Sequence, residues 1–340
     1  MRQFWWQKAT VVVGLLALSI VIAACGSVAS GSQQEEEKGD GGASGQIAVE
    51  GSSTVLPITQ AAAEAFNQQN PDVRITVGGA GTGDGFEAFC NGDTQISDAS
   101  RPIEEDEVQA CQKNGVEFIE TPVALDALSV VVNSQNNFAS DITLEQLSTL
   151  WEPDAEGQVT TWNQVNPEWP EQQINLYGPG TESGTFDYFT DKVVGEEGAS
   201  RTDYQASEDD NVLVQGVSGD PNALGYFGLS YFLQNQQRLK ALTVNGVAPS
   251  EETAQSSEYP LSRPLFIYVS TQSLEETPSV EEFVSFYLEN LNQFVEQAQY
   301  VPLNDQALQE ARERFQNRTT GSSPEDALGG EAKGNEEEKK

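Results

Sequence analysis

Hydrophobic and polar positions follow two alternating periods along this chain of 340 residues. Runs that alternate with the period of a strand are separated by stretches with the spacing of an amphipathic helix. Alternation of strands and helices along a chain is typical of α/β layers, so we expect an α/β fold. The pattern predicts strands over residues 47–50, 73–77, 95–97, 118–119, 123–133, 174–177 and 263–269. It predicts helices over residues 57–69, 84–89, 104–114, 186–194 and 280–298, and the start of another at 143–147.

Two strand signals suggest how the chain is divided. Residues 125–133 and 263–269 are strongly apolar, and each could cross between two lobes. We therefore expect a discontinuous first lobe of residues 46–125 plus 264–318, with a second lobe of residues 126–263 inserted into it. A hinged protein of two lobes places its ligand in the cleft between them.

The N-terminus has the pattern of a processing segment. Residues 1–24 contain Arg2 and Lys8, then an apolar run that ends at Ala23-Ala24 before Cys25. This arrangement is similar to the lipobox of bacterial lipoproteins, so we expect cleavage before Cys25 and a lipid on its sulfur. An uncleaved membrane helix is the alternative. The sequence predicts a flexible tether over residues 25–45 and a disordered tail over residues 319–340.

Charge and composition exclude several classes of function. Asp and Glu number 53 against 17 Lys and Arg, which gives a formal net charge of −36, and the chain has no His. Nucleic acid is not an expected partner because a basic patch is missing. Without His, neither a Ser-His-Asp triad nor a zinc site containing His can form. We expect no enzyme activity, no metal and no cofactor.

Two cysteines remain after Cys25, at positions 90 and 111. An exported protein lies in an oxidising compartment, which predicts a disulfide between Cys90 and Cys111. Two free buried thiols are the alternative.

Three loops of Gly and hydroxyl residues follow predicted strands and precede predicted helices. They are Gly51-Ser52-Ser53-Thr54-Val55, Gly79-Ala80-Gly81-Thr82-Gly83 and Gly178-Pro179-Gly180-Thr181-Glu182-Ser183-Gly184-Thr185. Such loops present backbone N–H groups and hydroxyls to one point, which suits a tetrahedral oxyanion. Each hydroxyl could alone be an ordinary helix cap, and the case for binding rests on their recurrence.

A fourth segment, Ser97-Asp98-Ala99-Ser100-Arg101, combines a carboxylate, a hydroxyl and a guanidinium. Arg matches oxyanions through its planar set of donors. A carboxylate can accept the proton that phosphate carries and sulfate lacks, so Asp98 would favour phosphate. The alternative is a local ion pair between Asp98 and Arg101 at the surface.

In this order and spacing, the four segments over residues 46–318 resemble the PstS family of bacterial phosphate ABC importers, in particular its SphX-like lipoprotein branch. The resemblance implies a two-lobed periplasmic binding protein fold of type II and inorganic phosphate as ligand. It implies an extracytoplasmic monomer, anchored to the cell membrane by a lipid on Cys25, that delivers phosphate to the membrane subunits of an ABC transporter. The implied phosphate-binding residues are Ser53, Thr54, Val55, Thr82, Asp98, Ser100, Arg101, Ser183, Gly184 and Thr185.

The sequence departs from the family in two respects. Many members carry an Arg four residues before the Ser of Ser-Gly-Thr, where this chain has Pro179. Either Asp98 or Arg101 can align with the family's ligand-binding Asp, and we hypothesise that Arg101 supplies the missing cation. A receptor for sulfate, molybdate or a phosphate ester is an alternative function, and a secreted phosphatase is another.

Overall fold

The computed structural model describes residues 45–181 and 183–322. The predicted signal peptide, the lipid on Cys25, the tether up to residue 44 and the tail beyond residue 322 lie outside the described residues. Within the described part of the chain, no helix is both long and apolar enough to span a membrane.

Eleven strands form the sheets of the described residues. They are β1 (Gly45–Gly51), β2 (Val73–Val77), β3 (Ile96–Ala99), β4 (Phe118–Asn133), β5 (Asp141–Ile142), β6 (Asn175–Gly178), β7 (Gln205–Ala206), β8 (Ala223–Gly228), β9 (Leu239–Ala241), β10 (Thr243–Val244) and β11 (Ser262–Ser270).

Thirteen α-helices accompany these strands within the same residues. They are α1 (Leu56–Gln69), α2 (Thr82–Cys90), α3 (Glu105–Asn114), α4 (Leu144–Trp151), α5 (Trp162–Val165), α6 (Gly184–Phe189), α7 (Asp210–Gly219), α8 (Leu229–Asn235), α9 (Glu251–Gln255), α10 (Thr271–Glu276), α11 (Pro278–Glu289), α12 (Leu291–Gln297) and α13 (Asp305–Gln316). A 3₁₀ turn covers Pro153–Ala155, and a π-helix covers Thr190–Val194.

The main sheet has the strand order β2-β1-β3-β11-β4-β8-β6-β7, with β9 also paired to β4. Strands β1, β2 and β3 are parallel, whereas β11 is antiparallel to both β3 and β4. The mixed α/β class is therefore confirmed. Strand β5 pairs with β10 in a separate small sheet.

Strand β4 joins the two sections of the main sheet. Its first part, from Phe118 to Ala127, pairs with β11, and its second part, from Leu128 to Val132, pairs with β8. The sequence predicted one long β-rich run from residues 118–119 and 123–133, and in the structure β4 also continues through residues 120–122. Pro122 is tolerated because it lies beside a register shift between Leu265 and Phe266 of β11, where a ladder hydrogen bond is not required.

Separate apolar clusters lie on the two sections. The largest contains Phe66 of α1 and Phe283 of α11, and another contains Trp151 and Trp162 beside β6 and β8. Leu229 and Ala254, which fall within residues 126–263, pack in the first of these clusters. The exact lobe boundaries stay a prediction.

Two predicted helices are divided in the structure. Residues 280–298 form α11 and α12, which meet at Asn290, whose side chain donates to the Phe286 carbonyl oxygen. Helix α6 passes into the π-helix at Thr190, because the Thr190 hydroxyl donates to the Phe186 carbonyl oxygen at 2.9 Å and accepts from the Gly198 N–H at 2.8 Å.

The predicted disulfide between Cys90 and Cys111 is present and links α2 to α3. The described residues also include the start of the predicted tail, where the Gly321 N–H donates to the Phe118 carbonyl oxygen at 2.9 Å.

Candidate functional site

The first loop leaves the end of β1 and is held by the neighbouring strand β3. The Ser52 N–H donates to the Asp98 carbonyl oxygen at 2.8 Å. Gly51 has a φ of +145°, and a Cβ there would lie 2.0 Å from that same oxygen. Only glycine therefore permits the two strand ends to approach so closely, and Ser53 and Thr54 are placed just beyond this contact.

The second loop packs against the first. The Gly81 N–H donates to the Gly51 carbonyl oxygen at 2.9 Å, and Gly81, with a φ of +117°, precedes α2. The Thr82 hydroxyl lies 3.0 Å from the Ser100 hydroxyl and accepts the Ser100 N–H at 3.2 Å. The loop thus brings Thr82 and Ser100 together, as expected if both face one ligand.

The third loop reaches the first from the other section of the sheet. Ser183 caps α6 by accepting the Thr185 N–H at 3.2 Å. A Cβ on Gly184 would lie 2.2 Å from the Thr54 hydroxyl oxygen and 3.1 Å from the Thr54 backbone nitrogen. Residues separated by more than a hundred positions in sequence are therefore in direct contact.

These loops border a cavity of about 670 Å³. Five predicted binding residues line it, namely Ser53, Thr54, Thr82, Ser100 and Arg101. Val55 is fully buried. Gly184 lies against Thr54, but Ser183, Gly184 and Thr185 are not among the residues that line the cavity. The remaining lining residues are Ser52, Ala80, Gly81, Gly83, Asp84, Pro102, Glu104, Asp187, Tyr188, Asp191, Lys192, Glu197, Ser262, Arg263 and Pro264.

Arg263 of β11 lies where the first and third loops meet. Its Nη2 donates to the Thr54 hydroxyl at 3.0 Å and to the Gly184 carbonyl oxygen at 3.1 Å. Its Nε donates to the Asp126 carboxylate at 3.2 Å, and its guanidinium lies 4.1 Å from the centre of the Tyr188 ring.

Arg263 is not among the residues predicted from the sequence to bind the ligand, although the sequence contains a signal for it. Arg263 and Asp126 are opposite charges at the starts of the two apolar strands that were predicted to cross between lobes. In the structure they are partners in register on β11 and β4. A charge in each of two buried strands requires a partner, so their pairing could have been inferred.

Arg101 also lines the cavity, but its charge is already paired. Its two terminal nitrogens donate to the two carboxylate oxygens of Glu107, each at 2.8 Å, and its Nε lies 3.5 Å from Glu104. The hydrogen bond to Glu107 raises the pKa of Arg101 further above its ordinary value. The alternative of a surface ion pair between Asp98 and Arg101 is not found among the described residues. The role of Arg101 as the missing cation stays a prediction.

Asp98 lies beneath the first loop rather than on the cavity wall. Its side chain is fully buried and accepts the Thr59 hydroxyl at 3.0 Å, while its other carboxylate oxygen has no hydrogen-bond partner among the described residues. Burial raises the pKa of Asp98 to about 8, and the charge of Glu50 adds to this effect. The predicted contact of Asp98 with the anion stays a prediction.

The cavity contains hydrogen-bond acceptors as well as donors. Five carboxylates line it, on Asp84, Glu104, Asp187, Asp191 and Glu197. Burial, together with the charge of Glu197, raises the pKa of Asp187. In the described part of the chain, no group of three or more His, Cys, Asp or Glu side chains could hold a metal ion. The site can therefore act through hydrogen bonds and fixed charges.

Comparison with known proteins gives a consistent result. The sequence profile of the PBP superfamily domain matches residues 36–290. The chain is 48% identical over 291 residues to protein SphX of Synechocystis sp. (strain ATCC 27184 / PCC 6803 / Kazusa), covering 84% of this chain and 85% of SphX. It is 35% identical to the phosphate-binding protein PstS of Staphylococcus saprophyticus subsp. saprophyticus, covering 88% of this chain and 90% of PstS.

Solved structures agree with this similarity. A crystal structure described as a possible phosphate binding protein from Planctomyces limnophilus DSM 3776 superposes with a TM-score of 0.77 at 42% identity, covering 82% of this chain and 99% of that chain. An ABC-type phosphate transport receptor from Vibrio cholerae superposes with a TM-score of 0.61 at 25% identity, covering 75% of this chain and 99% of that chain.

Proposed function

Because the chain belongs to the PBP superfamily, and within it to the PstS- and SphX-like phosphate-binding proteins, we propose that it captures inorganic phosphate for an ABC importer. The observation that carries the proposal is the convergence of separate loops on one cavity. Thr54 of the first loop touches Gly184 of the third, and Thr82 of the second lies against Ser100. Residues from four parts of the chain are thereby available to one small anion.

The binding residues in this proposal are Ser53, Thr54, Val55, Thr82, Asp98, Ser100, Arg101, Ser183, Gly184 and Thr185. Hydroxyls and backbone N–H groups can donate to the oxygen atoms of phosphate and replace the water that it loses. Carboxylates that line the cavity can accept a proton carried by phosphate, and sulfate has no such proton at neutral pH. This combination of donors and acceptors supports phosphate over sulfate.

The acidic composition limits how the anion is attracted. The formal net charge is −36, so the protein as a whole repels phosphate. Binding must depend on contacts within the cleft, where a lower effective dielectric constant strengthens each hydrogen bond to a charge. Closure of the two lobes over the anion would provide that environment and would give the transporter a form to recognise.

Anchoring and location belong to the same proposal. Cleavage before Cys25 and a lipid on its sulfur would hold the protein on the outer face of the cell membrane, where an importer receives its substrate. The test is replacement Cys25→Ser followed by separation of membrane and soluble fractions. The proposal expects the variant to leave the membrane fraction, and a variant that stays there overturns the lipid anchor.

Calorimetric titration of the purified protein with phosphate, in a buffer free of phosphate, tests the ligand. We expect saturable binding of one phosphate, with little displacement of labelled phosphate by equal concentrations of sulfate or molybdate. Displacement by sulfate at comparable concentration would instead support the alternative oxyanion receptor. Release of phosphate from a chromogenic ester, if it survived further purification, would contradict a binding function.

A further inference from the structure

Resting on the phosphate-binding function above, we propose that Arg263 is the charged ligand of the anion. The cation would then come from β11, which pairs with the first part of β4, rather than from a binding loop. Asp126 would hold the guanidinium in place and keep its charge paired when no anion is bound. Neither Arg263 nor Asp126 is among the residues predicted from the sequence to bind the ligand.

The hydrogen bonds of Arg263 leave donors available. A guanidinium carries five N–H groups. The Nε–H group donates to Asp126, and the two N–H groups of Nη2 donate to the Thr54 hydroxyl and the Gly184 carbonyl oxygen. Among the described residues, Nη1 has no hydrogen-bond partner. Two N–H groups therefore remain for a ligand, in a side chain that lines the cavity.

The surroundings of Arg263 increase the strength of a contact with an anion. Its side chain is 16% exposed and that of Asp126 is 1% exposed, so the pair is largely removed from water. The Tyr188 ring lies 4.1 Å from the guanidinium and limits its movement. A hydrogen bond between charged groups is stronger in such a site than at the surface.

The position of Arg263 also links the anion to both sides of the cleft. Thr54 belongs to the first loop, whereas Gly184 and Tyr188 belong to the third loop and α6. An anion bound to Nη1 would therefore contact a guanidinium that already donates hydrogen bonds to the first and third loops. Binding and closure would be coupled through this one side chain.

The other cations of the cavity fit the role less well. Both terminal nitrogens of Arg101 are occupied by Glu107, and the Arg101 side chain is 36% exposed. Lys192 is exposed. Water screens the charge of an exposed side chain more than that of a buried one. Arg263 combines a low exposure with unused donors.

The experiment compares Arg263→Gln with Lys192→Gln by calorimetric titration with inorganic phosphate. Both variants remove one positive charge from the lining of the same cavity, so the effect of net charge on binding is matched. Loss of hydrogen bonds from a charged donor predicts that Arg263→Gln weakens binding by about 100-fold, whereas Lys192→Gln changes it by about threefold or less.

A further variant distinguishes a loss of phosphate binding from a loss of folding. Arg263→Gln leaves the Asp126 carboxylate buried without its partner, which can destabilise the fold. The double variant Arg263→Gln/Asp126→Asn replaces the ion pair by a neutral pair of similar shape. It should unfold at a temperature close to that of the unmodified protein and still bind phosphate about 100-fold more weakly.

Each result has a distinct meaning. If the unmodified protein and a folded Arg263→Gln or double variant bind phosphate equally well, the role of Arg263 is wrong and the proposed function stands. If Lys192→Gln causes the larger loss, the cation is Lys192 and the inference is again overturned. If the unmodified protein binds no phosphate, the proposed function itself fails, and the inference fails with it.

Discussion

At the scale of single residues, the close contact between the first and third loops concerns Gly184. A Cβ there would lie 2.2 Å from the Thr54 hydroxyl oxygen, which is far inside ordinary contact distance. We expect Gly184→Ala to hold the first and third loops apart and to weaken phosphate binding by about tenfold or more, as overpacking typically costs 1–3 kcal/mol.

The matched control for Gly184→Ala is Gly219→Ala. Gly219 ends α7, and a Cβ there would meet nothing within 4 Å. Calorimetric titration should show phosphate affinity unchanged in this variant. Equal affinities for both alanine variants would mean that close contact of the loops is not needed for binding.

A second residue-scale prediction concerns Asp98 and pH. Its pKa is about 8 in the folded protein, against 3.8 as the ordinary value in an unfolded chain. Between these two values, the folded state holds a proton that the unfolded state has released. The contribution of Asp98 to the free energy of unfolding is therefore complete below pH 3.8 and is lost as the pH rises toward 8. At about 1.4 kcal/mol per pKa unit, the loss in the free energy of unfolding across this pH range is on the order of 5 kcal/mol.

Urea denaturation of the unmodified protein and of Asp98→Asn, without phosphate, tests this expectation. Asn is neutral at every pH and its oxygen can still accept the Thr59 hydroxyl. The stability of the unmodified protein should fall relative to Asp98→Asn between pH 4 and pH 8, the range set by the two pKa values. A constant difference between the two proteins across this range would show that Asp98 does not retain its proton in the fold.

At the scale of elements, the disulfide stabilises the part of the first section that carries Thr82. Cys90 ends α2, Cys111 lies in α3, and the two are 21 residues apart. In the chain-entropy estimate, a loop of this length contributes about 3 kcal/mol to the free energy of unfolding. The variant Cys90→Ser/Cys111→Ser should lose about that amount in denaturant titrations.

Phosphate affinity should change little in the same variant, because the disulfide lies at the end of α2 remote from Thr82. Addition of a reductant to the unmodified protein is the control and should reproduce the loss of stability. A large loss of affinity in a folded variant would mean that the disulfide also positions the second loop.

The elements also show what the sequence can predict and what it cannot. Short strands such as 73–77 were predicted because alternation of side chains is a local property, and the structure has them. The passage of β4 through Pro122 is accommodated by the register with β11, which is not a local property of the sequence. The π-helix after α6 likewise depends on Thr190 and Gly198, which are not neighbours in sequence.

The same distinction applies to the site. The loops around Ser53, Thr82 and Ser183 could be selected from their glycines and hydroxyls. The opposite charges of Arg263 and Asp126 on two apolar strands could have indicated their pairing, but the contacts of Arg263 with Thr54 and Gly184 could not, because those residues are distant in sequence. The pairing of Arg101 with Glu107 was also missed, although it joins residues on one short segment.

At the scale of the whole molecule, charge should govern the rate of association. The formal net charge of −36 and the five carboxylates of the cavity repel phosphate as it approaches. Salt screens such repulsion over about 10 Å at 0.1 M ionic strength. We therefore expect the association rate constant to rise by about two- to tenfold when sodium chloride is raised from about 0.01 to 0.15 M.

Stopped-flow measurement with a fluorescent label outside the cleft would give this rate constant. Replacing sodium chloride by potassium chloride is the control, because screening depends on ionic strength and not on the identity of the cation. A rate constant that fell as salt was added would indicate that the local field of the cleft attracts phosphate and outweighs the charge of the whole protein.

The strand that carries Arg263 has a consequence for engineering. Surface loops tolerate insertion and exchange more readily than the sheet that supports them. A cation carried on β11 keeps its coordinates when the three loops are redesigned, because its support comes from the ladder with β4. Libraries of grafted loops on this scaffold could therefore vary the shape of the pocket for other anions while the anchoring charge stays fixed.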